Sequence, residues 1–526
     1  MVVVSFSFQE NYWDEFELQE EDIDFIYNHL LEVETPLTPD ELISVLVEER
    51  IQREIRAIEQ QRLAGGEIYL PKENYAVEQK LVFPALGWRL GEVLETRSGW
   101  NPDLGHFDII KVQLDNGEER EFAAGLEEHK LNTPPDATDD DIPDPQAVLA
   151  SSGKHLVGRL ESGLQANPDF VYIAGRWFPR ALLIDINAGH LNLAEAMLDM
   201  AGGGPLPTSA LLEQLDLISN ENSKLVEFSL DLALQEDVRF DEVGPAGEVL
   251  WYLQRLEPDG VREIPLALRY KEIDYDRDLL TQEMLELERS LDDELSPLES
   301  TDSGKNDVTI LLLFPHLLAG TLPLTPRMQP FFPTAYESPR ILFTLVDGNT
   351  GEKFPGWVVQ ESGYVFGLDK WYRERKLMPG SIVRVQRSKN PGEVIIKADT
   401  QRSRRDWIRT VLVGSDGGVV FAMLKQVVTA AYDEHMAIMT PDLDALKNVW
   451  EQRSKKQPAF ERVVVNIVRE LAKLNNQDHV HASELYAAIN LVRRCPPGPI
   501  MALLASRPWF VHVGDLYFHF DDSAGK

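Results

Sequence analysis

Cysteine is nearly absent: Cys495 is the single cysteine in 526 residues. One thiol forms no internal disulfide and no Cys-based zinc site, and it fits a reducing compartment. Long apolar runs are missing too. No stretch approaches the ~18 uninterrupted apolar residues that a membrane-crossing helix requires. The opening MVVVSFSFQENYWDEFELQEED has no basic segment and soon turns acidic, so it does not read as a signal peptide. The expectation is a cytoplasmic protein without a membrane partner. Positive charge is scarce: 51 Lys and Arg stand against 87 Asp and Glu, for a net charge of −36. That balance argues against general nucleic-acid binding, in which attraction to phosphate dominates the affinity.

Signatures of common chemistry are missing as well. There is no Gly-x-x-x-x-Gly-Lys-Ser/Thr phosphate loop, no Gly-x-Gly-x-x-Gly between a strand and a helix, and no His-Glu-x-x-His. Gly202-Gly203-Gly204 before Pro205 reads as a loop. His479 and His481 have metal-compatible spacing but no adjacent carboxylate cluster, so surface histidines are expected. Asp237, Asp241, Glu242 and Glu248 crowd one short segment without a nuclease-spaced lysine partner. Cys495 sits beside Arg493 and Arg494, which would lower its pKa, but no local histidine accompanies it. No catalytic residue, metal or cofactor is expected.

What is present is a basic island. Between Trp371 and Arg409 there are eleven Lys/Arg and four Asp/Glu, interspersed with Trp371, Tyr372 and Trp407. Cations among aromatics mark the place where an anionic partner would bind. The candidate contacts are Arg373, Arg375, Lys376, Arg384, Arg387, Lys389, Arg402, Arg404 and Arg405, with Trp371 and Tyr372 beside a sugar or base. A second, weaker contact is Arg493 and Arg494, since residues 453–519 carry nine Lys/Arg and five Asp/Glu. Internal salt bridges to the acidic remainder are the competing role for these cations.

Hydrophobic residues make up 43% of the chain, enough for ordinary cores, and the length implies three to five domains. Residues 1–75 read as an acidic helical, winged-helix-like domain. Thr38-Pro39-Asp40-Glu41 opens its long helix with a capping box, and Gly65-Gly66 closes it. Over 76–133 the period changes to two, with Asn116-Gly117 as a hairpin turn, implying a small Tudor-like β-barrel. Residues 134–147 have the Pro/Asp composition of a linker. Within 148–275, Phe170–Ile173 is followed by Trp177-Phe178, and Phe240–Gly244 by Trp251-Tyr252. Near the C-terminus Phe510–Gly514 is followed by Tyr517-Phe518. Helix-like sequence precedes each aromatic hairpin, the layout of a winged helix. Residues 276–307 read as an acidic helix and linker, and 308–400 as a strand-rich basic barrel. A helix is expected from Arg402 and a second over 442–453 within a helical segment, 401–452. A C-terminal winged helix is expected over 453–526. The fold class is an α+β multidomain chain with repeated winged-helix-like modules and two small β-barrels.

Two stretches carry a resemblance. PAFERVVVNIVRELAKLNNQDHVHASELYAAINLVRRCPPGPIMALLASRPWFVHVGDLYFHF resembles the HARE-HTH winged-helix family, which includes the acidic delta subunit of bacterial RNA polymerase. That resemblance implies a winged helix acting in transcription. Trp357, Gly367-Leu368, Trp371 and Leu377-x-Pro379-Gly380-Ser381-x-Val383 are similar to the DNA-binding pseudobarrels of plant transcription factors and some restriction enzymes. Ser381 stands where that family usually has Asp. The expected function is a non-enzymatic, nucleic-acid-associated regulator of the transcription type. DNA would be held by the basic barrel and the C-terminal winged helix, and other proteins by the acidic N-terminal half. The alternative is an acidic protein-interaction scaffold that binds no DNA.

Overall fold

The computed structural model describes residues 12–63, 66–86, 89–102, 105–132, 144–215, 222–297, 306–336, 338–415, 417–455, 458–521 and 523–524. The chain is mixed α+β and divides into two compact units, residues 1–184 with 221–226, and residues 185–220 with 227–526.

The first unit begins with α1 (Glu20–Val33) and α2 (Pro39–Leu63). The capping box expected for α2 is formed: the Thr38 amide donates to Glu41 Oε2 at 2.8 Å, and the Glu41 amide to Thr38 Oγ1 at 3.3 Å. A five-stranded sheet follows, made of β1 (Glu67–Ile68), β2 (Lys80–Phe83), β3 (Arg89–Asn101), β4 (Gly105–Leu114) and β5 (Glu119–Ala124), paired in chain order. Gly117 in its last hairpin has φ +79°, the left-handed backbone that the Asn-Gly turn supplies. Tyr69, Phe83, Val93, Ile110 and Val112 are buried together as this sheet's own core. Next come α3 (Pro145–Gln165), β6 (Phe170–Ile173) and β7 (Arg176–Pro179). The expected linker over 134–147 falls mostly outside the described residues, and its end is helical from Pro145. Leu37, between α1 and α2, forms a β-bridge to Trp177 in β7.

The second unit opens with α4 (Ala188–Met200), β8 (Leu206–Pro207), α5 (Thr208–Leu215) and α6 (Ser223–Glu236, of which 227 onward belongs to this unit). The hairpin of β9 (Phe240–Glu242) and β10 (Leu250–Leu253) follows, and β8 pairs with β10. Gly203 and Gly204 are packed against Tyr252 and the Trp251 carbonyl, where a Cβ would come within 3 Å of each. The glycine triplet therefore serves close packing of a loop on the aromatic hairpin.

Beyond the one-turn α7 (Asp259–Arg262) lies α8 (Gln282–Leu291), which begins later than the acidic helix expected from residue 276. The following linker falls mostly at 298–305, outside the described residues. A seven-stranded sheet is built from β11 (Asp307–Leu311), β12 (Thr321–Pro323), β13 (Arg340–Asp347), β14 (Lys353–Val359), β15 (Tyr364–Phe366), β16 (Ile382–Arg387) and β17 (Glu393–Ala398). Its order is β11-β16-β17-β13-β14-β15-β12, with only β13 and β17 parallel. Two short helices, α9 (Phe314–Ala319) and α10 (Asp369–Glu374), interrupt it.

The chain then departs from expectation. In place of a helix from Arg402, β18 (Thr400–Val413) and β19 (Val419–Ala430) form a long two-stranded ribbon. Ile408, Thr410, Val411 and Val413 face a second strand equally rich in β-branched residues, and Gly-Ser-Asp-Gly-Gly separates them. That is hairpin chemistry, and it outweighs the helix-compatible charges of Arg402–Asp406. Helix α11 (Leu443–Lys455) then lies where one was expected. The C-terminal part runs α12 (Phe460–Ala472), β20 (His479–His481), α13 (Ala482–Ile489), α14 (Pro497–Ser506), β21 (Phe510–Gly514) and β22 (Tyr517–Phe520). One continuous core joins α8, the seven-stranded sheet, the ribbon and this C-terminal part.

The same element order thus occurs three times: helix, short strand, helix, helix, aromatic hairpin. In the second and third copies the short strand pairs with the second hairpin strand, β8 with β10 and β20 with β22, and in the first its place is taken by the single residue Leu37, which bridges to β7. In the first copy the five-stranded sheet stands between the second and third helices.

Candidate functional site

The basic island does not form one surface. Trp371 and Tyr372 are core residues, 4% and 2% exposed, and cannot stack on a base. The Trp371 indole donates to Asp347 Oδ2 at 2.8 Å, and the Tyr372 hydroxyl donates to the Thr321 carbonyl at 2.6 Å. Asp347 also accepts from the Arg375 Nε at 2.9 Å and the Asn349 amide at 2.7 Å. Burial works to raise its pKa, but the Asn349 amide, the indole and the guanidinium outweigh it and hold the carboxyl below its usual range. Trp357 is buried as well, packed edge-on to Tyr252. Their hydrophobic bodies outcompete any surface role, a choice that charge counting does not register.

Several of the predicted cations are consumed internally. Arg375 is paired with Asp347, Arg373 with Asp369, and Arg404 with Asp406. Arg384 reaches Asp307 at 2.9 Å and Asp399 at 3.2 Å. Arg494 is fully buried, donating to both oxygens of Asp293 at 2.8 and 2.7 Å and to Glu294 at 2.7 Å, so its charge is matched within the fold. Burial works against its charge, and the two carboxylates more than restore it. Tyr486 donates to Asp293, and His316 Nε2 lies 3.1 Å from Glu294. The sequence Leu-Asp-Asp-Glu-Leu after α8 supplies this buried receptor for Arg494; as a charge run it reads as a solvated face.

The remaining cations are open. Arg387 lies over the Phe331 ring at 5.4 Å, and Lys376 and Lys389 are exposed. Arg493 donates to the Pro458 carbonyl at 3.2 Å and lies over the Phe460 ring at 5.4 Å.

The most distinctive surface is on the ribbon. Arg405 and Trp407 share one face of β18, and the residues directly opposite on β19 are Val427 and Lys425. Trp407 is 64% exposed, and Val427 and Met423 are exposed beside it. Arg405 and Lys425 are exposed cations on this face, and Arg402, also exposed, lies in the irregular stretch of β18 between Thr400 and Arg404. The other face is fixed to the body: Ile408 and Val428 are buried with Met378 and Ala437. Arg409 clamps the ribbon by an ion pair to Glu484 at 2.7 Å and a bond to the His435 carbonyl at 3.0 Å. The ribbon therefore presents an exposed tryptophan between cations on an anchored strand, suited to stacking on a planar group that carries negative charge.

The other chemical candidates are occupied. His481 stacks on His435 at 4.2 Å, and Cys495 is buried with its thiol pushed up by burial. Asp237 is paired with Arg239, and Asp241 with Arg340. Among the described residues no group of His, Cys, Asp and Glu is arranged to hold a metal ion, and no helix is long and apolar enough to cross a membrane. No family model, curated protein or solved structure matches the chain.

Proposed function

We propose that this protein is a non-enzymatic, nucleic-acid-associated regulator that meets its partner through the ribbon face of Arg402, Arg405, Trp407 and Lys425. The observation that carries this reading is Trp407, widely exposed on a fixed strand among cations without acidic partners. A contiguous exposed apolar strip rimmed by polar groups marks an interaction surface, and the flanking charges select an anionic partner. The threefold repeat of helix, strand, helices and aromatic hairpin supports a winged-helix reading of all three modules. So does the resemblance of the C-terminal copy to the HARE-HTH family. The strongly acidic remainder would suppress indiscriminate phosphate contact and leave the ribbon as the point of engagement.

The test is binding of the full chain to single-stranded and duplex oligonucleotides at 50 and 200 mM salt. Three cation–phosphate contacts predict a loss of roughly 20- to 40-fold over that range. Trp407→Ala should weaken single-strand binding on the order of 5- to 150-fold if one base stacks on it. The double variant Arg402→Glu/Arg405→Glu should abolish binding. No binding at 50 mM salt refutes the reading. It would leave the acidic scaffold, which the exposed apolar strip of Trp407, Met423 and Val427 favours as a protein-docking surface.

A further inference from the structure

In the second unit, well separated in sequence from the ribbon face, a chamber of about 320 Å³ is enclosed between α11, the start of α12 and the segments 266–271 and 492–494. Five of its lining residues are cations: Arg269, Lys271, Arg453, Arg493 and Arg494. Among the described residues no carboxylate lines it. Two of the five are neutralised elsewhere, Arg494 by Asp293 and Glu294, and Arg269 by Glu263 at 3.5 Å. Among the described residues, Lys271, Arg453 and Arg493 have no carboxylate partner.

Arg453 decides what the chamber is for. It is half-buried yet makes no hydrogen bond and no ion pair, and burial pushes its pKa down. A half-buried guanidinium without a partner is partly stripped of water, and an anion beside it would offset that loss. Its neighbours are already positioned. Arg493 is fixed by the Pro458 carbonyl and the Phe460 ring, and the buried Nε of Arg494 has no acceptor. Three uncompensated cations ask for more than one negative charge, and planar guanidinium forks match phosphate oxygens in pairs. The volume is at the small end of ligand sites, enough for an oligophosphate and too small for a duplex.

We infer that this chamber is a binding site for a small oligophosphate anion, held by Arg453 and Arg493 with Lys271 at its rim. Arg453 also borders a wider open groove along α12 that carries Arg462, Asn466 and Arg469, so the same guanidinium meets both spaces.

The experiment is titration of the full chain with inorganic pyrophosphate at 50 mM salt, followed by calorimetry and by the rise in thermal midpoint, with a nucleoside triphosphate as a second arm. Saturable binding that Arg453→Gln weakens tenfold or more is the expected result. Lys271→Gln, at an exposed position that leaves the fold intact, should weaken it several-fold. The ribbon variant Arg402→Glu/Arg405→Glu should leave it unchanged, which separates this site from the ribbon. Binding of the triphosphate alone, with the same dependence on Arg453, also supports the site and identifies a nucleotide as the source. Arg453→Gln should not lose midpoint in ligand-free buffer, since it removes an unpaired buried charge. Absence of binding by the unaltered chain to both probes, or equal affinity in Arg453→Gln and Lys271→Gln, overturns the inference.

Discussion

Replacing Arg494 with Met is expected to destabilise the second unit by about 3–5 kcal/mol, the usual effect of removing one partner from a buried ion pair. The structure shows why the figure belongs at that end of the scale. The side chain is fully buried and makes three short charge-assisted bonds to Asp293 and Glu294, with a fourth to Asn490 Oδ1 at 3.2 Å. Without it, Asp293 keeps the Tyr486 hydroxyl and Glu294 keeps His316, but the cation that neutralises both is gone. Asp292 is next in sequence and is itself buried, so three carboxylates would crowd one region. At about 2–4 °C per kcal/mol, the thermal midpoint should fall on the order of ten degrees. The assay is urea and thermal denaturation at pH 7. A triple variant, Arg494→Met with Asp293→Asn and Glu294→Gln, should recover much of the loss because no uncompensated charge remains. The single variant should also regain stability relative to the parent as pH falls, since its stranded carboxylates then take up protons. A loss below about 1 kcal/mol for Arg494→Met, or a triple variant no more stable than the single one, refutes the reasoning.

Glu257 supplies a pH prediction of the opposite sign to the usual carboxylate. Burial and the neighbouring Asp241 push it up to about 8 from its ordinary 4.5, with Arg340 at 3.0 Å opposing them. The folded state therefore holds this proton more tightly than the unfolded one. Its contribution to stability is full below pH 4.5 and is lost as pH rises toward 8. Glu257→Gln should flatten that decline in denaturation midpoints measured between pH 5 and pH 8; an unchanged slope refutes it. Cys495 is buried and its thiol is pushed up by burial. Native protein should react with a thiol reagent on the order of a hundredfold more slowly than denatured protein, because reaction waits on local opening. Equal rates would place the thiol at the surface.

Much of the scaffold was legible because its signals are local. The Thr38–Glu41 box, the Asn116-Gly117 turn and the strand-rich character of 308–400 each follow from runs of a few neighbouring residues. The recurring aromatic hairpin also pointed to the threefold element order. What failed depended on distance. Trp371 and Tyr372 look like surface aromatics among cations, yet their partners Asp347 and Thr321 lie 24 and 51 residues away. The partner of Arg494 is 201 residues upstream at Asp293, in a run that reads as part of an acidic helix and linker. The ribbon was missed for a different reason. Arg402–Asp406 has no period of its own, and the β-branched alternation that fixes it begins only at Ile408. In the sequence Arg453 reads as one more basic residue of the C-terminal region. Its significance lies in the partners it lacks, which only the folded chain displays.

The placement of the five-stranded sheet has a consequence for how the first unit tolerates change. In the later two copies of the repeated order, the second and third helices are joined by a short connection, whereas in the first an entire sheet intervenes. As slack chain, a span of about eighty residues in place of about seven would add roughly 2 kcal/mol of closure entropy. The guest avoids that penalty by closing on itself. The Lys72 amide donates to Asn132 Oδ1 at 2.8 Å, so its two ends are held side by side over a core of its own. Its size and sequence can therefore change at little entropic penalty to the helices on either side of it in the chain.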